Sequence, residues 1–158
     1  LKKAMSFLKD EERICRKLEN LDSLSMSLGN QALILDNWGK LKEAMALLKE
    51  EERICRQLGN MDGIQRSLGN QASILFKWGK ERKAMGLLKE KGRICRQLGN
   101  IRGLCFILAN QGVFYLNKGN RNKGLKLLIE ALSLAKDHGY FDLVRQFEST
   151  ISSISKLR

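Results

Sequence analysis

The chain has 158 residues, 43% apolar and 29% charged, which suits a folded chain with a core and excludes a disordered one. Its 29 basic residues against 17 acidic ones give a net charge of +12, which admits peptide, nucleic-acid or anionic-lipid partners without choosing among them. No uninterrupted apolar run approaches the roughly 18 residues of a membrane span, and the opening LKKAMSFLKDEER has no apolar signal core, so a cytoplasmic placement with no membrane contact is expected.

Taken in order, the first forty residues end where they could begin again. LKKAMSFLKDEERICRKLENLDSLSMSLGNQALILDNWGK (1–40) is followed by LKEAMALLKEEERICRQLGNMDGIQRSLGNQASILFKWGK (41–80), with 26 of 40 positions identical. Block 81–120 keeps roughly half of the pattern and block 121–158 less, and no gap is needed. The start at Leu1, in mid-pattern, reads as a segment of something longer. Within the blocks, glycine returns every 20 residues at Gly39, Gly59, Gly79, Gly99, Gly119 and Gly139, with Glu19 breaking the series. A glycine just past a helix end relieves the left-handed position there, so each 20-residue unit predicts one helix of about 15–17 residues and a tight turn.

The first helix is expected over about 2–18. Complete helix pairs follow over about 21–58, 61–98 and 101–138, and a closing helix over about 140–157 carries Phe141, Val144, Phe147, Ile151 and Ile154 on one side. Apolar residues such as Leu41, Ala44, Met45, Leu48 and Ile54 recur at helical spacing and never alternate as in a strand. Asp22 and Asp62, just before their apolar runs, are expected as N-caps. Glu12 and Arg16, Glu52 and Arg56, and the Glu50-Glu51-Glu52 run read as solvated charge. The fold expected is all-α: a right-handed α-solenoid of antiparallel helix pairs, about eight helices, as a single domain over 1–158.

Chemistry is scarce. His138 is the sole histidine and sits where it would cap a helix C-terminus. Cys15, Cys55 and Cys95 are 40 apart, which is repetition; with Cys105 they read as small buried apolar residues and form no zinc signature. There is no phosphate-binding G-x-x-x-x-G-K-[ST] motif. No enzymatic activity, cofactor or metal is expected.

The segments SLGNQALILDNWGKLKEAMALLKE, SLGNQASILFKWGKERKAMGLLKE and ILANQGVFYLNKGNRNKGLKLLIE resemble tetratricopeptide repeats. They are closest to the 40-residue variety of Leu-Gly-Asn repeat polarity adaptors, kinesin light chains and many bacterial signalling proteins. The family's small residue in the first helix is matched by Ala32, Ala72 and Gly112. The glycine before the second helix is matched by Gly39, Gly79 and Gly119, and the small residue early in that helix by Ala44, Ala84 and Gly124. Its first-helix aromatic is matched only by Tyr115, and the proline that often closes a repeat is absent. The resemblance implies an interaction scaffold whose first-type helices line a concave groove for a peptide or partner protein.

With Ala32 and Ala72 packed inward, helical spacing places Met26, Asn30, Leu33 and Asn37 on that face in the first pair. It places Arg66, Asn70, Ser73, Phe76 and Lys77 there in the second, and Phe106, Asn110, Val113, Leu116 and Asn117 in the third. Asn30, Asn70 and Asn110 are the sharpest candidates. An amide both donates and accepts, so it can hold a peptide main chain, and the resemblance implies the same role; the competing reading is that each sets the spacing to the next helix. Arg66 and Lys77 could pair with a ligand carboxylate, which favours an acidic ligand, or be ordinary surface charge. Met26, Phe76 and Phe106 could form apolar pockets or pack between repeats. Two other readings stand behind this one. Nucleic-acid binding is motivated by the net charge of +6 in block 81–120 but lacks aromatic residues placed for stacking. Self-association is motivated by the unpartnered helix at the N-terminal end.

Overall fold

The computed structural model describes residues 1–155, and its regular elements there are eight α-helices with no strand. They are α1 (Lys2–Lys17), α2 (Leu21–Asn37), α3 (Leu41–Leu58), α4 (Met61–Lys77), α5 (Glu81–Gln97), α6 (Ile101–Asn117), α7 (Arg121–Asp137) and α8 (Phe141–Ser155). The helix pairs expected from the glycine rhythm are all present. The closing helix is described to Ser155, and residues 156–157 of its expected span lie outside the described residues.

The turns explain the periodicity. Each of the six rhythmic glycines has positive φ, between 65° and 78°. The two amides at each turn fold back on the helix they leave: Gly39 N donates to Asp36 O and Lys40 N to Leu35 O, and Asn60 N donates to Cys55 O. The residue after the glycine then starts the next helix. Asn60 Oδ1 accepts from Gly63 N at 2.9 Å, Asn100 Oδ1 from Gly103 N at 2.8 Å, and Asn20 and Asn120 act in the same way. The caps expected at Asp22 and Asp62 are therefore corrected: both lie in the first helical turn, where a carboxylate suits the helix dipole, and the shorter reach to the amides belongs to the asparagine two residues earlier. Gly-Asn thus closes one helix and opens another within two residues.

At the break in the series, Glu19 itself takes φ 52°. A left-handed conformation costs a non-glycine residue about 1–2 kcal/mol, partly offset by the greater chain entropy of glycine when unfolded. Glu19→Gly should therefore stabilise the protein by about 0.5–1 kcal/mol in urea unfolding. A loss of stability would show that the Glu19 side chain makes up for its backbone.

Two compact units divide the described residues, Leu1–Lys91 and the part from Gly92 onward, with the division inside α5. In the first, α1 packs on α2, α2 on α3 and α3 on α4, and α2 also touches α4. Its core includes Cys15, Leu24, Leu28 and Ile54, with Leu21 and Leu47 against them. In the second, α6 packs on α7 and α7 on α8, burying Leu104, Leu108, Leu128, Leu143 and Phe147. All four cysteines are buried thiols, as expected. His138 caps α7, its Nδ1 3.0 Å from Leu134 O. Among the described residues no helix is long and apolar enough to cross a membrane.

A polar ladder runs behind the first unit. Ser27 Oγ donates to Leu8 O, and Gln31 Nε2 to Glu12 Oε2 at 2.7 Å; forty residues on, Ser67 Oγ donates to Leu48 O and Gln71 Nε2 to Glu52 Oε2 at 2.6 Å. Both serines and both glutamines are buried. Glu12 and Glu52 also hold Arg16 and Arg56, and these guanidiniums reach the next second-type helix (α1, α3, α5 and α7 are of this type, the second of each pair) at Glu50 (2.9 Å) and Glu90 (2.7 Å). The cross-helix carboxylates, Glu50 and Glu90 foremost, push both arginines above their ordinary pKa. Glu12 and Glu52 are thus correctly paired with Arg16 and Arg56, but they are structural links between repeats rather than solvated charge. In the second unit Ile107 and Gly92 stand at the serine and glutamate positions, and a Cβ on Gly92 would lie 3.7 Å from Ile107. The rung there is apolar.

Candidate functional site

Each first-type helix buries one stripe and leaves the opposite line open. On α2, Leu24, Leu28, Ala32 and Leu35 are buried while Met26, Asn30, Leu33 and Asn37 are exposed. On α4, Ile64, Leu68, Ala72 and Leu75 are buried while Arg66, Ser73 and Lys77 are exposed, with Asn70 and Phe76 half-buried. On α6, Phe106, Asn110, Val113 and Asn117 are exposed and Leu116 is half-buried. Spacing therefore found the open line on all three helices. The structure brings the α2 and α4 residues onto neighbouring helices of one unit and sets the α6 residues in the other unit.

Among the described residues, the side-chain amides of Asn30, Asn70 and Asn110 make no hydrogen bond. The spacer role weighed for them thus has no bond behind it, and their donors and acceptors are available to a ligand.

The two basic candidates are already engaged. Arg66 donates through Nε (3.0 Å) and Nη2 (2.7 Å) to Glu51 Oε1. Lys77 Nζ lies 2.6 Å and 2.7 Å from the two oxygens of Asp36, across α2 and α4. Both are half-exposed surface charges already in ion pairs, and a ligand carboxylate would meet them as halves of those pairs.

Glu51 corrects a second expectation. It is fully buried, not solvated, and its Oε2 has no hydrogen-bond partner. Gly29 makes the room: a Cβ there would stand 2.7 Å from Glu51 Oε1. Burial pushes the Glu51 carboxyl above its ordinary pKa, and the bonds and charge of Arg66 pull it back only in part. In the second unit Phe106 lies under the Arg102 guanidinium, 5.9 Å from the ring centre, and Arg102 also pairs with Asp142 and stacks over Tyr140.

The fold has a solved counterpart. BtubC (BKLC) from P. vanneervenii matches 86% of the chain with a TM-score of 0.59 at 17% identity. The chain adopts a helical repeat fold. It spans 65% of the length of that BtubC chain. No family model and no curated protein sequence matches it.

Sequence reasoning missed Glu51, Asp36, Gln31 and Gln71. The glutamines recur at the 40-residue spacing three residues before a buried aliphatic, and that recurrence was their signal. Glu51 gave none, because its neighbours Glu11 and Lys91 in the other blocks are charged and not fully buried.

Proposed function

We propose that the chain is a non-enzymatic interaction scaffold, a tetratricopeptide-like array of the 40-residue variety, whose first-type helices hold an extended peptide. The observation that carries this reading is the uncommitted amides of Asn30 and Asn70 at the same position of α2 and α4 in one unit; Asn110 repeats that position on α6 in the other. An amide offered to a main chain gives affinity without reading sequence; Met26 and Leu33 beside it offer apolar contact, and Arg66 and Lys77 supply charge. Arg66 is half-exposed, and its Nη1 is not used by Glu51, so it can bridge Glu51 and an incoming carboxylate. Acidic peptides fit this arrangement better than basic ones.

Selection from randomised twelve-residue peptides, sorted by net charge, tests the reading. Acidic sequences should be enriched, and Asn30→Ala and Asn70→Ala should each weaken the best binder by about three- to tenfold, the scale of one or two hydrogen bonds. Glu51→Gln should tighten acidic binders by releasing Arg66. Equal recovery of acidic and basic peptides, indifferent to Asn70→Ala, would count against the groove.

A further inference from the structure

Two clefts recur at a 40-residue offset in the unit Leu1–Lys91, lined largely by the second-type helices that the proposed peptide face does not use. The first, about 420 Å³, is lined by residues of α1, α2 and α3, with Leu35 and Trp38 opposite Leu47. The second, about 470 Å³, is lined by residues of α3, α4 and α5, with Leu75 and Trp78 opposite Leu87. Met5, Leu35, Trp38 and Leu47 of the first are matched by Met45, Leu75, Trp78 and Leu87 of the second.

Their rims differ. In the first, Lys40 is paired with Glu43 at 3.3 Å, and Glu12 is held by Arg16 and Gln31. In the second, position 43 becomes Lys83, so Lys49, Lys80 and Lys83 surround the opening. None of these three has a carboxylate partner among the described residues, and Lys80 rests over the Trp78 ring at 4.9 Å. Glu90, the acid lining this cleft, is taken by Arg56 at 2.7 Å. Gly86 widens the same cleft where the first has Ala46, and a Cβ there would meet no atom within 4 Å. An apolar slot beneath three uncompensated ammonium groups has a defined complement: a bulky aliphatic side chain with carboxylates on either side.

We propose that the cleft of α3, α4 and α5 is a second binding site, which takes an acidic peptide segment by inserting one aliphatic side chain between Trp78 and Leu87 and setting its flanking carboxylates against Lys49, Lys80 and Lys83. The balanced rim of the first cleft makes it a much weaker site for the same segment. This site is separate from the asparagine line and stands or falls without it.

The chain holds two tryptophans, one in each cleft, so each can report alone. Trp38→Phe leaves Trp78 as the reporter. Titrating that variant with acetyl-Glu-Glu-Leu-Glu-Glu-amide should give a saturable change in emission that weakens with salt. The same peptide with glycine for leucine, or lysine for glutamate, should bind at least about tenfold more weakly. Gly86→Leu, at an open helical position, should abolish the response, and Lys83→Glu on the exposed rim should weaken it about tenfold. Asn70→Ala should leave it unchanged, which separates this site from the proposed peptide face. Trp78→Phe should show a response of Trp38 at least about tenfold weaker. The proposal is overturned by no saturation, by equal binding of the lysine or glycine peptide, by indifference to both Lys83→Glu and Gly86→Leu, or by an emission change that follows protein concentration without peptide, which would mark the cleft as a contact between copies.

Discussion

Arg66→Ala is expected to lower stability by about 2–3 kcal/mol near neutral pH, and by much less in acid. The reason is Glu51, which is fully buried and depends on Arg66 for both hydrogen bonds to its Oε1. Removing one partner of such a pair strands the other, at a typical cost of about 3–5 kcal/mol, reduced here because Arg66 is itself half-exposed. The pH dependence follows from the direction of the Glu51 shift. Its folded pKa is raised by burial, so the unfolded chain gives up this proton first as pH rises. The stability associated with neutral Glu51 is complete below the ordinary carboxylate pKa and is lost as pH rises through the folded value. Taking away Arg66 raises the folded value further and widens that window upward. Below it Glu51 is neutral in both states, and the variant should approach the parent. Replacing the pair together, as Glu51→Met with Arg66→Leu, should recover most of the loss, because two apolar groups need no compensation. Urea unfolding at several pH values checks all three statements. A deficit that does not change with pH would assign Arg66 to packing instead.

Gly112→Val should be at least as damaging in the second unit. A Cβ at Gly112 would stand 2.8 Å from Leu128 Cγ and 2.9 Å from the backbone oxygen of Gly124, so helices α6 and α7 meet there nearly backbone to backbone. Gly112→Ala should cost about 2 kcal/mol, and the branched valine more, since a backbone oxygen gives way only by moving a helix. The control is Gly86→Ala, with open space around it, which should be neutral or stabilise α5 by up to about 1 kcal/mol through helix propensity. Thermal unfolding of the three variants side by side separates crowding from any general effect of the added methyl. If Gly112→Ala melts with the parent, the two helices separate freely and the close approach has no energetic weight.

The helices, their limits to within a residue or two, and the exposed line on α2, α4 and α6 were legible in the sequence, because local signals decide all three. A positive-φ glycine ends each helix from α2 to α7, with Glu19 in its place after α1, an asparagine begins most of the next, and apolar spacing sets which side faces inward. What the sequence hid is pairwise and long-range. Nothing near Arg66 announces that its carboxylate comes from 15 residues earlier, and nothing near Lys77 points to Asp36, 41 residues away. Glu50, Glu51 and Glu52 look alike as letters. In the fold Glu50 crosses to Arg16, Glu51 is sealed under Gly29, and Glu52 anchors Gln71. The N-caps were misplaced by two residues because Asn20 and Asp22 are both capable caps, as are Asn60 and Asp62, and only the helix start, set by the preceding left-handed turn at Glu19 or Gly59, decides between them.

Nitrogen-15 spectra of the side-chain amides of Asn30, Asn70 and Asn110, recorded while the best selected acidic peptide is titrated in, test the proposed role most directly. The Asn30 and Asn70 amide resonances should shift together and saturate at the binding stoichiometry, with the backbone of α2 and α4 unchanged in helicity. Saturable binding that leaves all three amides where they were, and moves only residues of other helices, would contradict it.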